Sequence, residues 1–235
     1  MFAQNRLRTT VEQYNTLAPR YDKLHNRWLR HAGGEAQAAL EALVRALITP
    51  DKQFLDAGCG TGHLARSLLS EGMPPATMTL LDPSHAMLAQ CADLPVPRIT
   101  GRLEALPFTD ATFDIVTCVW ALETTSDPNF ALAELCRVVR PGGVLCLAFC
   151  ADMPARGLTD SVMRQALLYR GTGQFLSRRH VTQWIESVGG FSVSTIPTNG
   201  PAATLLAKRS ISPEVVQTPN RPRNHPVPEV DRDLI

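Results

Sequence analysis

The sequence predicts an α/β fold in which helices cover both faces of a mostly parallel sheet. Apolar patterns typical of a strand and of a helix alternate five times between residues 36 and 150, and this alternation is the signature of a parallel sheet. Three glycines within five residues, in "LDAGCGTGHLA", follow the first of these strands. Two further strand patterns near the end of the chain are expected to pair antiparallel.

The first half of the predicted sheet contains two strand–helix units. Apolar residues at helical spacing predict a helix over Ala36–Leu47, and "QFLDAG" predicts a short buried strand that ends at Asp56. After the glycines we expect a helix from about His63 to Ser70. "TMTLLD" predicts a second strand over Thr77–Asp82, and the helix of "PSHAMLAQC" is expected to carry Pro83 in its first turn.

The second half continues the alternation. "RIT" predicts a third strand, and the apolar, β-branched run Phe113–Trp120 predicts a fourth strand that is covered on both faces. A helix over about Asn129–Val139 is expected to end at "RPGG", because proline and paired glycines do not continue a helix. "VLCLAF", Val144–Phe149, predicts the fifth strand.

The pattern changes after Cys150. "LTDSVMRQALLYRGTGQF" predicts an inserted helix and loop, and "SRRHVTQWIESVGGF" predicts a helix closed by Gly189 and Gly190. "FSVSTIPT" and "ATLLAKR" predict the closing antiparallel pair. The last 26 residues hold five of the 18 prolines. Such a segment buries too little apolar surface to offset its ordering entropy, so we expect it to be disordered.

The glycine turn predicts a ligand site. A strand, a glycine turn and a helix place backbone N–H groups at the carboxyl edge of a parallel sheet, where ligands bind in such folds. Gly58, Gly60 and Gly62 are spaced G-x-G-x-G, which differs from the G-x-G-x-x-G dinucleotide fingerprint. Asp56 and Asp82 end neighbouring strands, and a carboxylate there accepts ribose hydroxyls. A tight turn without a ligand is the alternative.

Four motifs together resemble the class I S-adenosylmethionine-dependent methyltransferases: "LDAGCGTG", "LLDPSHAML", "GRLEALPFTDATFDIV" and "ELCRVVRPGGVL". The resemblance covers about residues 10–209 and is greatest to small-molecule methyltransferases of the ubiquinone and menaquinone biosynthesis type. It implies a Rossmann-like sheet of seven strands with a reversed last strand. It also implies S-adenosylmethionine as cofactor and methyl transfer to a small-molecule acceptor by in-line displacement.

The resemblance implies three parts of the chain. Residues 1–30 would form an N-terminal lid, and residues 31–209 the methyltransferase domain, with a substrate insert at about 151–179. Residues 210–235 form the proline-rich tail described above.

The resemblance also implies which residues bind the cofactor. The glycine turn would approach its methionine part, Asp82 would hold the ribose, and Pro83 and Met87 would lie beside the adenine. Arg102 departs from the pattern, because the family commonly has an acidic residue there; Leu103 and Glu104 would then serve the adenine. The full expected set is Tyr14, Tyr21, Asp56, Gly58, Cys59, Gly60, Asp82, Pro83, Met87, Leu103, Glu104 and Cys118.

Catalytic residues are less well marked, because a sulfonium brings its own leaving group and the protein mainly supplies alignment. The candidates are Glu123, after the fourth strand, Tyr21 in the lid, and His180 at the start of a late helix. Tyr14 and Tyr21 either cover the reacting centre or pack the first helices onto the sheet. His25 and His31 are expected on the surface.

Composition limits the partners. A net charge of +1 gives no basic surface for nucleic acid, and no stretch approaches the roughly 18 apolar residues of a membrane span. We therefore expect a cytoplasmic monomer or homodimer that uses no metal, with its six cysteines reduced. Two alternatives stay open: a cofactor-binding partner subunit without catalysis, and a metalloid methyltransferase using Cys118, Cys146 and Cys150. A dinucleotide oxidoreductase is disfavoured by the glycine spacing.

Overall fold

The protein is described here from a computed structural model, over residues 2–152 and 174–211, with side chains from Thr10 onward. Its strands form one sheet. They are β1 (Phe54–Ala57), β2 (Met78–Asp82), β3 (Arg98–Thr100), β4 (Phe113–Val119), β5 (Val139–Cys150), β6 (Phe191–Ile196) and β7 (Ala202–Arg209). Most of the predicted insert and nearly all of the predicted tail lie outside the described residues.

The expected topology is confirmed. The seven strands run in the order β3-β2-β1-β4-β5-β7-β6. Strands β1 to β5 pair parallel with their neighbours, whereas β7 lies antiparallel to both β5 and β6. The reversed last strand is therefore β7, and the order changes direction between β1 and β4, where ligands bind in doubly wound sheets.

Helices lie on both faces of this sheet. They are α1 (Phe2–Leu17), α2 (Tyr21–Trp28), α3 (Gly34–Leu47), α4 (His63–Ser70), α5 (His85–Gln90), α6 (Pro128–Val138) and α7 (Arg178–Ser187). A π-helical turn, Leu29–Gly33, joins α2 to α3. One core packs Leu40 of α3 and Leu68 of α4 onto the sheet. The opposite core packs Leu132 of α6 and Ile185 of α7.

Two predicted boundaries were wrong. Strand β5 begins at Val139, so "RPGG" lies within the strand instead of separating it from the helix. Gly142 adopts a φ of +80°, and the β4–β5 register shifts near Phe113, so the glycines form an irregularity within the strand. Pro83 precedes α5, because the Ser84 side chain accepts a 3.1 Å hydrogen bond from the Met87 N–H and caps the helix.

Candidate active site

A cleft opens at the carboxyl ends of β1, β2 and β4. It encloses about 630 Å³ of space, part of it open to solvent, a size typical of small-ligand sites. Residues from the first helices, the glycine turn, the end of β2 and the loops after β3 and β4 line it. They are Thr10, Val11, Tyr14, Tyr21, Gly58, Gly60, Asp82, Pro83, Ser84, Met87, Arg102, Leu103, Glu104, Val119, Trp120, Ala121, Thr124 and Thr125.

The glycine turn needs its glycines for two different reasons. Gly58, Gly60 and Gly62 all adopt positive φ, between +55° and +78°, which side chains rarely tolerate. A Cβ at Gly58 would lie 2.4 Å from the Ala121 Cβ, so the packing of Ala121 leaves no room for a side chain at residue 58. A Cβ at Gly60 would meet only the Tyr21 ring, at 3.7 Å. Backbone at Gly60 therefore faces the open cleft.

Asp82 holds the turn together at the edge of the cleft. Its Oδ2 accepts a 2.9 Å hydrogen bond from the Gly60 N–H, and its Oδ1 accepts one of 2.9 Å from the Ser84 N–H. Burial raises the pKa of this carboxyl to about 6, although the two N–H groups act in the opposite direction. Each oxygen keeps a further lone pair for a ligand hydroxyl.

Three residues of the expected cofactor set do not line the cleft: Asp56, Cys59 and Cys118. The Asp56 carboxyl is buried inside the sheet, where its Oδ1 accepts a 2.9 Å hydrogen bond from the Thr117 hydroxyl. Burial raises its pKa to about 7. The Cys59 thiol points back to the Gly60 carbonyl, which the Cys91 thiol also approaches.

The turn after β3 brings a basic and an acidic side chain to the cleft wall. Oε1 of Glu104 accepts hydrogen bonds from the Ser126 N–H and hydroxyl, at 2.9 and 2.7 Å. Its Oε2 lies 3.8 Å from Nε of Arg102. That Nε is buried without a hydrogen-bond partner among the described residues. Arg102 thus lines the cleft, and the adjacent Glu104 is held in place by Ser126.

The first two helices cover the cleft with aromatic rings. Tyr14 of α1 and Tyr21 of α2 both line it, with ring centroids 6.1 Å apart. Burial is the main cause that raises the pKa of both phenols. Both phenols are therefore uncharged at neutral pH.

The expectation that His25 lies on the surface was wrong. Only 9% of the residue is exposed, and its ring stacks on Tyr21 with centroids 5.5 Å apart and an interplanar angle of 11°. Burial, and then the nearby His63, lower its pKa to about 4. Tyr21 and His25 lie on the same face of α2, and that face packs against the glycine turn and His63. This packing explains why His25 is buried. His31 is exposed, as expected.

The remaining catalytic candidates lie apart. Glu123 belongs to the 3₁₀ turn Leu122–Thr124 beyond β4 and is buried, between two residues of the cleft lining. His180 is exposed at the start of α7, where its ring nitrogen lies 3.2 Å from Oδ1 of Asn129. His180 does not belong to the cleft lining.

Sequence reasoning missed the role of Trp120 in the cleft. The residue was assigned to the end of a strand, but it adopts a φ of +57°, which is rare for a residue other than glycine. Its indole N–H donates a 2.8 Å hydrogen bond to Oε1 of the buried Gln37. The ring packs edge-on against Trp28 at 5.6 Å. Nothing local in the sequence marks this backbone conformation.

The cysteines show no ligand arrangement. All six are free thiols, with Cys118 on β4 and Cys146 and Cys150 on β5. No group of three or more His, Cys, Asp or Glu side chains in residues 2–152 and 174–211 is arranged to hold a metal. Among the helices of the same ranges, none has the length and apolarity needed to cross a bilayer.

Comparisons with known proteins agree with this geometry. The sequence model of the methyltransferase domain family matches residues 55–147. The demethylmenaquinone methyltransferase of Thermus thermophilus is 34% identical over 186 residues, which cover 74% of this chain and 83% of that protein. The ubiquinone/menaquinone biosynthesis C-methyltransferase of Methylobacterium nodulans is 36% identical over 155 residues, 61% of this chain. That match spans only 60% of the Methylobacterium protein's length.

A solved structure extends the agreement to the fold. A SAM-dependent methyltransferase from Thermotoga maritima superimposes with a TM-score of 0.62 at 20% identity, over 82% of this chain and 97% of that one. The similarity to the Thermus protein covers most of both chains, and the residues matched by the family model include the glycine turn and Asp82. The chain belongs to the class I S-adenosylmethionine-dependent methyltransferases.

Proposed function

We propose that the protein transfers the methyl group of S-adenosylmethionine to a small-molecule acceptor by in-line displacement. The observation that carries the proposal is the cleft, where glycine backbone, a carboxylate and two aromatic rings meet at the carboxyl edge of the sheet. S-Adenosylmethionine is the cofactor of the family to which the chain belongs. The carboxyl edge at a change of strand order is the binding edge of such sheets.

The residues of the cleft fit this cofactor. The open backbone at Gly60 leaves room for the methionine part, since a Cβ there would point into the cleft. The lone pairs left on Asp82 suit the two ribose hydroxyls. The apolar surfaces of Pro83, Met87 and Leu103 suit the adenine ring, and all three line the cleft. Tyr14 and Tyr21 bring aromatic rings to the cleft, and the face of such a ring attracts a cation such as a sulfonium.

Bound there, the cofactor supplies an activated methyl group and a neutral thioether leaving group. The chain's contribution is to align the acceptor and to exclude water. We assign the exclusion of water to helices α1 and α2. These helices contribute four residues to the cleft lining: Thr10, Val11, Tyr14 and Tyr21. On this proposal residues 1–30 act as the lid of the domain that follows.

The lining of the cleft supports an aromatic acceptor. Trp120 and both tyrosines supply ring surface, and Arg102 supplies a cation at the wall. The names of the Thermus and Methylobacterium relatives refer to menaquinone and ubiquinone biosynthesis. With this support from the names and from the cleft lining, we propose a hydroxylated ring as the acceptor class of this chain.

A two-stage experiment tests the proposal. S-Adenosylhomocysteine at a hundredfold excess over its Kd stabilises the fold by about 2.7 kcal/mol, which raises the Tm by several degrees. Turnover is then measured with methyl-labelled S-adenosylmethionine and a panel of naphthols and naphthoquinols. Absence of any Tm shift would contradict the cofactor site. A shift without turnover on any acceptor would favour the alternative of a partner subunit that only binds the cofactor.

A further inference from the structure

Glu123 occupies an unusual place for an acidic residue. It lies in the 3₁₀ turn directly beyond β4, and only 4% of it is exposed. Glu123 does not itself line the cleft, but Ala121, two positions before it, and Thr124, the next residue, both do. The main-chain carbonyl of Glu123 accepts a 3.0 Å hydrogen bond from the Gln174 N–H, which fixes the turn from the other side.

Within residues 2–152 and 174–211, one of its two carboxyl oxygens has a hydrogen-bond partner and the other has none. Oε1 accepts a 3.1 Å hydrogen bond from the Cys150 N–H. Oε2 is buried and has no hydrogen-bond partner in the described part of the chain. A buried polar atom left unpaired costs about 1–3 kcal/mol, and more where the group is charged. Such a group in a folded protein calls for a specific explanation, and a ligand that pairs with Oε2 provides one.

The surroundings of the carboxyl point to a proton acceptor. The titratable groups that face it are Tyr14 on α1, Tyr21 on α2, Cys118 on β4 and Cys150 on β5. Its described interactions are with the backbone and with Cys150, and no Lys or Arg is among them. Burial consequently raises its pKa, which brings a carboxylate closer to the range useful for a general base.

Resting on the methyl transfer proposed above, we propose that Oε2 of Glu123 takes the proton from a hydroxyl of the acceptor during the reaction. The O–H bond of the acceptor breaks and an O–H bond forms on Oε2. The electron density released on the acceptor forms its bond to the methyl carbon. The carbon–sulfur bond breaks at the same time, and its electron pair stays on the sulfur. The acceptor class is therefore a phenol or an enol.

Binding of two matched probes tests the contact without turnover. 1-Naphthol and 1-methoxynaphthalene differ in the hydrogen that Oε2 would accept, and each is titrated into protein saturated with S-adenosylhomocysteine. Wild type should bind the naphthol at least tenfold more tightly, the effect expected of a hydrogen bond to a charged group. Glu123→Leu should reduce this preference below twofold while leaving the Kd of S-adenosylhomocysteine unchanged. Equal binding of both probes to wild type, or binding of neither, would overturn the proposal.

Kinetics with a naphthol or naphthoquinol substrate separate a base from a structural residue. Glu123→Gln keeps the size of the side chain and lowers kcat/KM by about 100-fold, the lower part of the range for a lost general base. At S-adenosylmethionine concentrations that saturate the enzyme at every pH, wild-type kcat/KM for the acceptor should fall as the pH is lowered and Glu123 is protonated. Under the same conditions Glu123→Gln should lose that dependence. Glu123→Asp should restore part of the rate.

Glu186→Gln provides the matched control, because Glu186 is an exposed carboxylate on α7 and the chemical change is the same. It should behave as wild type in all assays. An unaltered pH profile in Glu123→Gln, with an unaltered rate, would overturn the role. The proposed methyl transfer is tested independently, by the Tm shift with S-adenosylhomocysteine and by the turnover of the wild-type protein.

Discussion

The hydroxyl of Thr61, in the glycine turn, donates a 2.6 Å hydrogen bond to Oδ1 of Asp22 on α2. A second contact joins α1 to the next loop, since the Ser84 hydroxyl donates a 2.6 Å hydrogen bond to Oδ1 of Asn15. Ser84 also caps α5, and its backbone N–H binds Asp82. The first two helices are therefore hydrogen-bonded to the same loops that carry Gly60 and Asp82.

Asp22→Ala is expected to weaken cofactor binding by about fivefold, because the loss of a partly exposed hydrogen bond of about 1 kcal/mol loosens the lid over the turn. Calorimetric titration with S-adenosylhomocysteine measures the change. The adjacent Lys23→Ala is the control, since Lys23 is exposed on the same helix. If Asp22→Ala kept the wild-type Kd, α2 would have only a packing role.

Gly58→Ala and Gly60→Ala should separate folding from binding. Both positions have positive φ, so each alanine carries a backbone cost of about 1 kcal/mol. The new Cβ at residue 58 also lies 2.4 Å from Ala121, whereas the one at residue 60 lies in the cleft. Gly58→Ala is thus expected to lower the Tm more, and Gly60→Ala to raise the Kd of S-adenosylhomocysteine more.

The two variants are compared by thermal melting without ligand and by titration. Equal Tm losses, together with an unchanged Kd for Gly60→Ala, would show that the backbone at Gly60 does not contact the cofactor.

Local sequence patterns predicted the part of the site that strand ends define. Asp82 ends one buried strand and Gly60 follows another, and parallel strands end at one edge of the sheet. Their contact therefore follows from the topology. The same reasoning does not describe the contacts of Asp56, whose carboxyl is hydrogen-bonded to Thr117 inside the sheet; its role toward the cofactor stays a prediction. A residue at a strand end is thus a good candidate for the binding site only when its side chain faces the cleft.

Contacts between distant segments were beyond the sequence patterns. Thr10 and Val11 reach the cleft because α1 packs beside α5, across more than 70 residues of chain. His25 was misplaced for the same reason, since helical spacing shows which residues share a face but not what covers that face. The left-handed backbone of Trp120 depends on its packing with Gln37 and Trp28.

Gln37→Leu tests the support of that indole. The change removes the acceptor of the Trp120 N–H in a buried site, and an unpaired buried donor costs about 1–3 kcal/mol. The free energy of unfolding, measured with urea, is expected to fall by that amount. Gln53→Leu is a control for the substitution, because only the backbone of Gln53 has described hydrogen bonds. The variant also removes the 2.9 Å hydrogen bond that Gln37 donates to Glu41. Equal stability of Gln37→Leu and wild type would show that the two hydrogen bonds of Gln37 together contribute nothing net.

Cofactor affinity should depend on pH through Asp82. Burial raises the pKa of this carboxyl to about 6 in the cofactor-free protein, and the ionised form is the one that accepts two ribose hydroxyls. Below pH 6 the carboxyl must lose a proton before it binds, so the Kd should rise about tenfold for each pH unit. Above pH 7 the affinity should be constant. Titration with S-adenosylhomocysteine between pH 5 and pH 8 measures this curve.

The matched control is the second buried aspartate. Asp56 has a pKa of about 7 and titrates over the same range, but it does not line the cleft. Asp56→Asn should therefore keep the slope below pH 6, whereas Asp82→Asn should bind more weakly at pH 8 and show no slope. His25, with a pKa of about 4, stays neutral throughout and adds nothing to the curve. A slope that persisted in Asp82→Asn and vanished in Asp56→Asn would contradict the ribose contact of Asp82, because affinity is linked to the groups whose pKa changes when the ligand binds.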